Sequence, residues 1–247
     1  VWYEYSVAKE GDIEAAVKVA KNSYSDWNLK GSAARAEVLK EFGQIAHDEM
    51  EETIAIMARD AGKTVAEADP EVSEAIDFAN YYALSAISLD LAKESSPVGV
   101  VVVVPPWNFP YAIPTGGICA ALAAGNSVIF KSAPETVATS WQLVNQLWRA
   151  GVPKDVLITV FADGEQTFSA LETGLKESII NKVGFTGSTA VGKKIGAKTG
   201  EYIQSACLEL GGKNPMVVME DANIDLALDY GKSISMANSG EAFFLAN

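Results

Sequence analysis

Two cysteines, Cys119 and Cys207, and a single histidine, His47, are all that the 247 residues supply of the side chains most used for metals and nucleophilic catalysis. With neither CxxC spacing nor cysteine density, a disulfide-stapled scaffold is excluded and a reducing compartment fits. His47 sits in a helical pattern between Ala46 and Asp48 and reads as a solvated helix residue, which removes a Ser-His-Asp triad. No His, Cys and Asp cluster has metal-ligand spacing, so no metal is expected. Positive charge is also scarce: 19 Lys and Arg face 32 Asp and Glu, a formal charge of −13. Such a surface repels phosphate backbones and anionic lipid heads, so neither nucleic acid nor membrane is an expected partner. The N-terminal VWYEYSVAKEGD lacks the basic start and apolar run of a secretory signal, and a cytoplasmic protein is the expectation.

Charge is missing altogether from Ser95 to Phe130. That stretch is long enough to cross a bilayer, but Pro97, Pro105, Pro106, Pro110 and Pro114 forbid a single helix through it. It reads instead as a buried strand, a turn, a buried small-residue helix ending near Gly125, and a second buried strand. With 49% of residues apolar, the chain can bury a substantial core.

What is present is a helical N-terminal region followed by alternating strands and helices. Apolar residues recur at helical spacing in DIEAAVKVAKNSYSDW, and again in one run from Ser32, taken as an N-cap, to Gly62. Pro70 is expected at a bend or in the first turn of a third helix. Beyond Pro97 the period changes. VGVVVVV is a β-branched run buried on both faces, and SVIFK, DVLITVF, SIINKVGF and YIQSACLEL follow as strands separated by short helices. Trp141 and Trp148, on the helix closed by Gly151, read as a core stripe. The pattern implies an α/β fold: a Rossmann-like, doubly wound, mostly parallel sheet of about five strands. NPMVVMEDANIDLALDYGKSISMA then reads as the strand and helix that begin a second α/β domain, giving 1–213 and 214–247 as the division.

In such sheets ligands bind beyond the carboxyl ends of the strands, and the candidate residues lie there. FTGSTAVG places Gly187 and Gly192 at a strand-to-helix turn. It offers N–H groups and the Ser188 hydroxyl to a phosphate, or it is an ordinary helix cap. Lys131 is either a snorkelling strand end or a donor to ribose hydroxyls or phosphate. Asn108 in PPWNFP is either a turn residue or a donor to an oxyanion. Glu209 in LELGGKNP is either a general base tuned by burial or a strand-end carboxylate bonded to glycine N–H groups.

Four segments in register, PWNFP, GNSVIFKSAPET, FTGSTAVG and LELGGKNP, resemble the motif series of the aldehyde dehydrogenase superfamily. The resemblance covers nearly all of the chain but about the first half of a usual member. It implies NAD- or NADP-dependent oxidation of a small aldehyde to a carboxylic acid, commonly in a homo-oligomer. In that chemistry a cysteine thiolate attacks the aldehyde, an Asn amide stabilises the oxyanion, and a Glu activates the water that releases the acid. By resemblance Asn108 is the oxyanion donor and Glu209 the base. Lys131 and Glu135 lie at the adenosine ribose, Ser188 and Gly187 at the pyrophosphate, and Pro106, Trp107, Gly164, Phe185 and Leu210 beside the cofactor. Pro134 stands where NAD-preferring members often carry an acid.

The family's nucleophile motif appears as Asn238, Ser239, Gly240, Glu241, Ala242 and then Phe243, so a side chain that cannot attack a carbonyl occupies the cysteine position. Neither existing thiol is an obvious rescue, since Cys119 lies in the buried helix and Cys207 is expected to pack inside the sheet. The chain is thus an aldehyde dehydrogenase portion or a catalytically inactive dinucleotide-binding relative. GKTVAEADPEVSEAIDFANYYA and KSAPETVATSWQLVNQLWRAGVPKDVL are most similar to the proline-catabolic branch, which oxidises glutamate semialdehyde.

Overall fold

The computed structural model describes residues 2–92, 95–212 and 214–236. Five parallel strands, β1 (Val100–Val104), β2 (Ser127–Lys131), β3 (Leu157–Val160), β4 (Ile180–Thr186) and β5 (Ser205–Glu209), form one sheet in the order β3-β2-β1-β4-β5. The chain winds outward from β1 to β3, then returns to the other side of β1 for β4 and β5. The direction of winding therefore reverses between β1 and β4, where two connections leave in opposite directions and open a crevice.

The β1 run is valine throughout because both of its faces are covered. Val101 and Val103 face a core with Phe130, Leu39, Phe42, Ile118 and Leu143. Val100 and Val102 face the opposite core with Ile13, Val17, Ile129, Ile180 and Val183. The first layer is built by α2 (Ser32–Asp48), α3 (Met50–Asp60), α4 (Val65–Ala92), α5 (Ala112–Ala123) and α6 (Val137–Arg149), and the second by α1 (Glu10–Leu29), α7 (Gly164–Lys176) and α8 (Thr189–Glu201). In α1, Ile13, Ala16, Val17, Ala20 and Trp27 supply the apolar stripe that packing on a sheet requires.

The C-terminal carbonyls of α5 are met from outside the helix. Trp27 Nε1 donates to the Leu122 carbonyl at 2.9 Å, and buried Arg35 donates through Nε to Ala123 at 3.1 Å. The chain then turns at Gly125, whose φ of 87° few side chains tolerate and whose absent Cβ would lie 2.4 Å from Asn28 Oδ1. Gly125→Ala is expected to lower the unfolding free energy by about 1–3 kcal/mol, read as an earlier midpoint in urea at unchanged slope.

Several local expectations need correction. The run from Ser32 to Gly62 is two helices, because Glu49 leaves helical geometry (φ −106°, ψ 17°) while its carboxylate takes two hydrogen bonds from Arg149 at 2.7 and 2.6 Å. The N-cap is Gly31, with Ser32 already helical and buried. Pro70 lies inside α4, which starts five residues earlier. There Thr64 N and Oγ1 both donate to Glu67, at 3.0 and 2.8 Å, fixing the helix start. Trp148, half-buried, packs against the core and donates through Nε1 to the Leu157 carbonyl at 3.0 Å, but Trp141 is 49% exposed and meets it edge-on at 5.6 Å, so only one of the two belongs to a core stripe. Cys207 is exposed, because β5 is the edge strand and its outward face has no covering layer among the described residues.

Asn214 makes an isolated bridge, and 215–219 adopt no strand. Residues 224–236 form α9 (Ile224–Met236) as the pattern implied. Val217, Met219, Ile224, Leu226, Leu228 and Tyr230 are all more than half exposed. Among the described residues no helix is long and apolar enough to cross a membrane, in keeping with the proline argument for Ser95 to Phe130.

Candidate functional site

At the winding reversal, a cleft of about 620 Å³ opens beyond the carboxyl ends of the strands. Its size is ordinary for a small-molecule or cofactor site. After β1, the segment 105–108 enters with Pro106, Trp107 and half-buried Asn108; Lys131 closes β2; Gly164 starts α7; Phe185 lies near the end of β4, with Gly187 and Ser188 just after it; Glu209 ends β5 and Leu210 follows it. Glu135 borders the cleft from the turn after Lys131. Thus the residues singled out in the sequence converge on one cavity, except Gly192, which is buried within α8, and Phe243, which lies outside the described residues.

The turn at 187–188 is tied to Glu209 by backbone. Gly187 N donates to the Glu209 carbonyl at 3.0 Å, extending the pairing of Thr186 with Glu209 across the parallel ladder. Ser188 is the N-cap of α8, and its Oγ accepts from Val191 N at 3.3 Å. The structural reading of that serine therefore holds. It does not exclude a ligand, because a capping hydroxyl retains its proton for donation and the first-turn N–H groups of a helix have no partners within it. The glycines make room: a Cβ on Gly187 would meet the Phe185 ring at 2.7 Å, and one on Gly192 would meet Leu210 at 2.3 Å. Both displaced side chains line the cleft.

Lys131 is only 7% exposed. Burial pushes its ammonium below the usual 10.5, and the nearby Glu135 and Asp163 carboxylates partly oppose that shift. A buried cation at a strand end, aimed into a cleft, is poised for an anion or a hydroxyl-rich group. Lys198, on α8, also reaches the cleft; its hydrogen bonds to Glu172 and Glu201 hold it above its ordinary range. Glu209 is exposed, so the burial expected to tune it is not provided by the described residues. Cys119 is fully buried, and burial pushes its thiol up, which disfavours the thiolate that reactivity requires.

One part of the cleft had no counterpart among the residues chosen from sequence. Phe168 and Leu171 of α7 face Val191 and Ile195 of α8 across an apolar slot. The sequence carried a signal for it: apolar residues at helical spacing on the two helices that follow β3 and β4. Their convergence depends on packing. A flat aromatic base suits that slot, while Lys131 and the α8 N-terminus suit ribose and phosphate, so the donor set fits a dinucleotide.

Comparison with known proteins agrees with the geometry. The model of the aldehyde dehydrogenase family matches residues 1–243. A 3-sulfolactaldehyde dehydrogenase of Pseudomonas putida is 32% identical over 248 residues, covering 96% of this chain and 50% of its own length. A 1-pyrroline-5-carboxylate dehydrogenase of Staphylococcus epidermidis is 34% identical over 254 residues, with 96% and 49% covered. Among solved structures, an aldehyde dehydrogenase of Bacillus cereus in complex with NAD+ superposes with a TM-score of 0.90 at 31% identity, covering 97% of this chain and 51% of that one. The chain spans about half the length of the curated relatives it matches.

Proposed function

We propose, from the premise that this chain belongs to the aldehyde dehydrogenase family, that it is the cofactor-binding portion of a protein built for NAD- or NADP-dependent oxidation of an aldehyde to a carboxylic acid. The observation that carries this reading is that Asn108, Lys131, Ser188 and Glu209 all line one cleft. The division at 213–214 fits it, with 1–213 holding the cofactor and 214–247 beginning the catalytic domain. A homo-oligomer and a small-molecule aldehyde are the partners proposed for the whole protein.

In this reading the bound nicotinamide supplies the hydride acceptor. The residues of the chain do the rest. The apolar slot between α7 and α8 takes the base, Lys131 and Glu135 flank the ribose, and the α8 N-terminus with Ser188 meets the pyrophosphate. Pro106 and Trp107 border the nicotinamide end, together with Phe185 and Leu210. The Asn108 side-chain amide would donate to the oxyanion formed when a cysteine thiolate attacks the aldehyde carbon, the one atom Phe243 does not supply, and that contact would be realised only as charge develops. Glu209 takes the proton of the attacking water when the acid is released. Overall, aldehyde, oxidised cofactor and water give carboxylate, reduced cofactor and two protons.

The names of the relatives suggest a substrate class. 3-Sulfolactaldehyde, 2-aminomuconic semialdehyde, succinate semialdehyde and 1-pyrroline-5-carboxylate each carry an acid group. An aldehyde with an anionic far end is therefore proposed, with glutamate semialdehyde of proline catabolism as its first representative.

Phe243 favours a second reading, a dinucleotide binder without turnover. Incubating the whole protein with NAD and either glutamate or succinate semialdehyde separates the two. Reduced cofactor in excess of protein supports the enzyme. Binding of NAD with no reduction supports the silent binder, and the absence of nucleotide binding contradicts both.

A further inference from the structure

We propose that Lys63 and Glu71 form a buried clamp that positions Asn108 in the cleft; the inference rests on the role given to Asn108 above. Lys63 lies in the turn between α3 and α4, and Glu71 lies on α4, outside the sheet. Their side chains are each 1% exposed and are paired through Nζ and Oε2. Such pairs seldom stabilise a fold more than apolar side chains of the same size, because the cost of dehydrating both charges offsets their attraction. What the charges do beyond pairing is therefore informative.

Both are spent on one segment. Lys63 Nζ donates to the backbone carbonyl of Asn108 at 3.0 Å and sits 4.0 Å from the centroid of the Phe109 ring. Glu71 Oε1 accepts from the backbone N–H of Tyr111 at 2.8 Å and of Ala112 at 3.1 Å. The carboxylate thus serves the N-terminus of α5, where the first N–H groups have no helical partner and negative charge is favoured. Residues 108, 109, 111 and 112 are gripped by a single ion pair, with buried Pro110 between them. Residue 108 is the one whose side chain must meet a developing charge, and an error of an ångström there costs heavily in rate. Lys63 and Glu71 are positioning residues: neither lines the cleft, and they act through Asn108.

The test is nuclear magnetic relaxation of the Asn108 side-chain NH2 group, assigned by its loss in Asn108→Asp. In the unaltered chain and in Lys63→Arg, which keeps the charge and the donors, this group is expected to be ordered. In the neutral, near-isosteric double variant Lys63→Met/Glu71→Gln its order parameter is expected to fall into the flexible range, below about 0.6, with the backbone of β1 and β2 unchanged. An ordered Asn108 in the double variant overturns the clamp. So does equal loosening in Lys63→Arg, or loss of order throughout the chain, either of which marks a packing role only. The measurement needs no ligand, while titration of NAD into the unaltered chain reads the cleft, so each idea can fail without the other.

Discussion

Under the second reading, a dinucleotide binder without turnover, cysteine in place of Phe243 is expected to raise the rate of aldehyde oxidation by the whole protein at least about 10³-fold, from background to measurable turnover. The magnitude follows from the chemistry of covalent catalysis, in which deletion of a nucleophile costs on the order of 10⁶ in a well-studied hydrolase. A phenylalanine can take part in no covalent step, whereas a thiolate at the same place would divide the oxidation into attack, loss of hydride to the bound cofactor and hydrolysis of the resulting thioester. Asn108 and Glu209 are proposed to be in place for both halves, so only the attacking atom is lacking. The gain must vanish on alkylation of the new thiol and must not appear in Phe243→Ser. Turnover by the unaltered protein at a rate equal to Phe243→Cys removes the idea that residue 243 holds the nucleophile position.

Lys131→Met lowers the affinity for NAD by about 10- to 100-fold, the loss of a charge-assisted hydrogen bond worth about 1.5–3 kcal/mol. The fold itself gains or is unaffected, since a buried ammonium is replaced by a side chain that needs no water. The direction of the Lys131 shift sets a pH signature. Because burial lowers its folded pKa below 10.5, the unfolded chain binds more protons between the lowered value and 10.5, and stability rises with pH across that window. Nucleotide binding favours the charged form, so affinity falls as pH rises through the lowered value. Lys131→Met removes this contribution from both slopes. Urea unfolding and calorimetric titration of NAD, each at three alkaline pH values, read the two slopes, and an identical pH dependence of affinity in the variant rules Lys131 out as the ligand's partner.

How much of this was legible in the sequence depends on the range of the cause. The five valines of β1 announce a doubly covered strand because two cores are fed by one alternating run. Gly62, Gly125 and Gly151 mark chain reversals after helices because each has a positive φ that other residues resist. The break at Glu49 was invisible, since its carboxylate answers to Arg149, on a helix 100 positions away. The exposure of Cys207 depends on β5 being an edge, and that is a property of strand order. Trp141 obeys helical spacing yet faces outward, because the neighbouring turn of α6 already fills the core with Leu143, Val144 and Leu147.

The same distinction holds for the site. Short motifs placed Asn108, Lys131, Ser188 and Glu209 at strand ends, and parallel topology then brought strand ends together. The slot between α7 and α8 came from ordinary apolar helix faces, which look like core until two of them leave a gap. The Lys63–Glu71 pair carried no motif at all. Its meaning appears only when residues 108–112 are seen resting on it.

The central claim is that this cleft holds a dinucleotide, and calorimetric titration of NAD into the chain tests it most directly. Saturable one-to-one binding, competed by ADP-ribose and weakened in Lys131→Met, is the result the account predicts. Absence of saturable binding, or binding that Lys131→Met leaves unchanged and ADP-ribose does not displace, contradicts it.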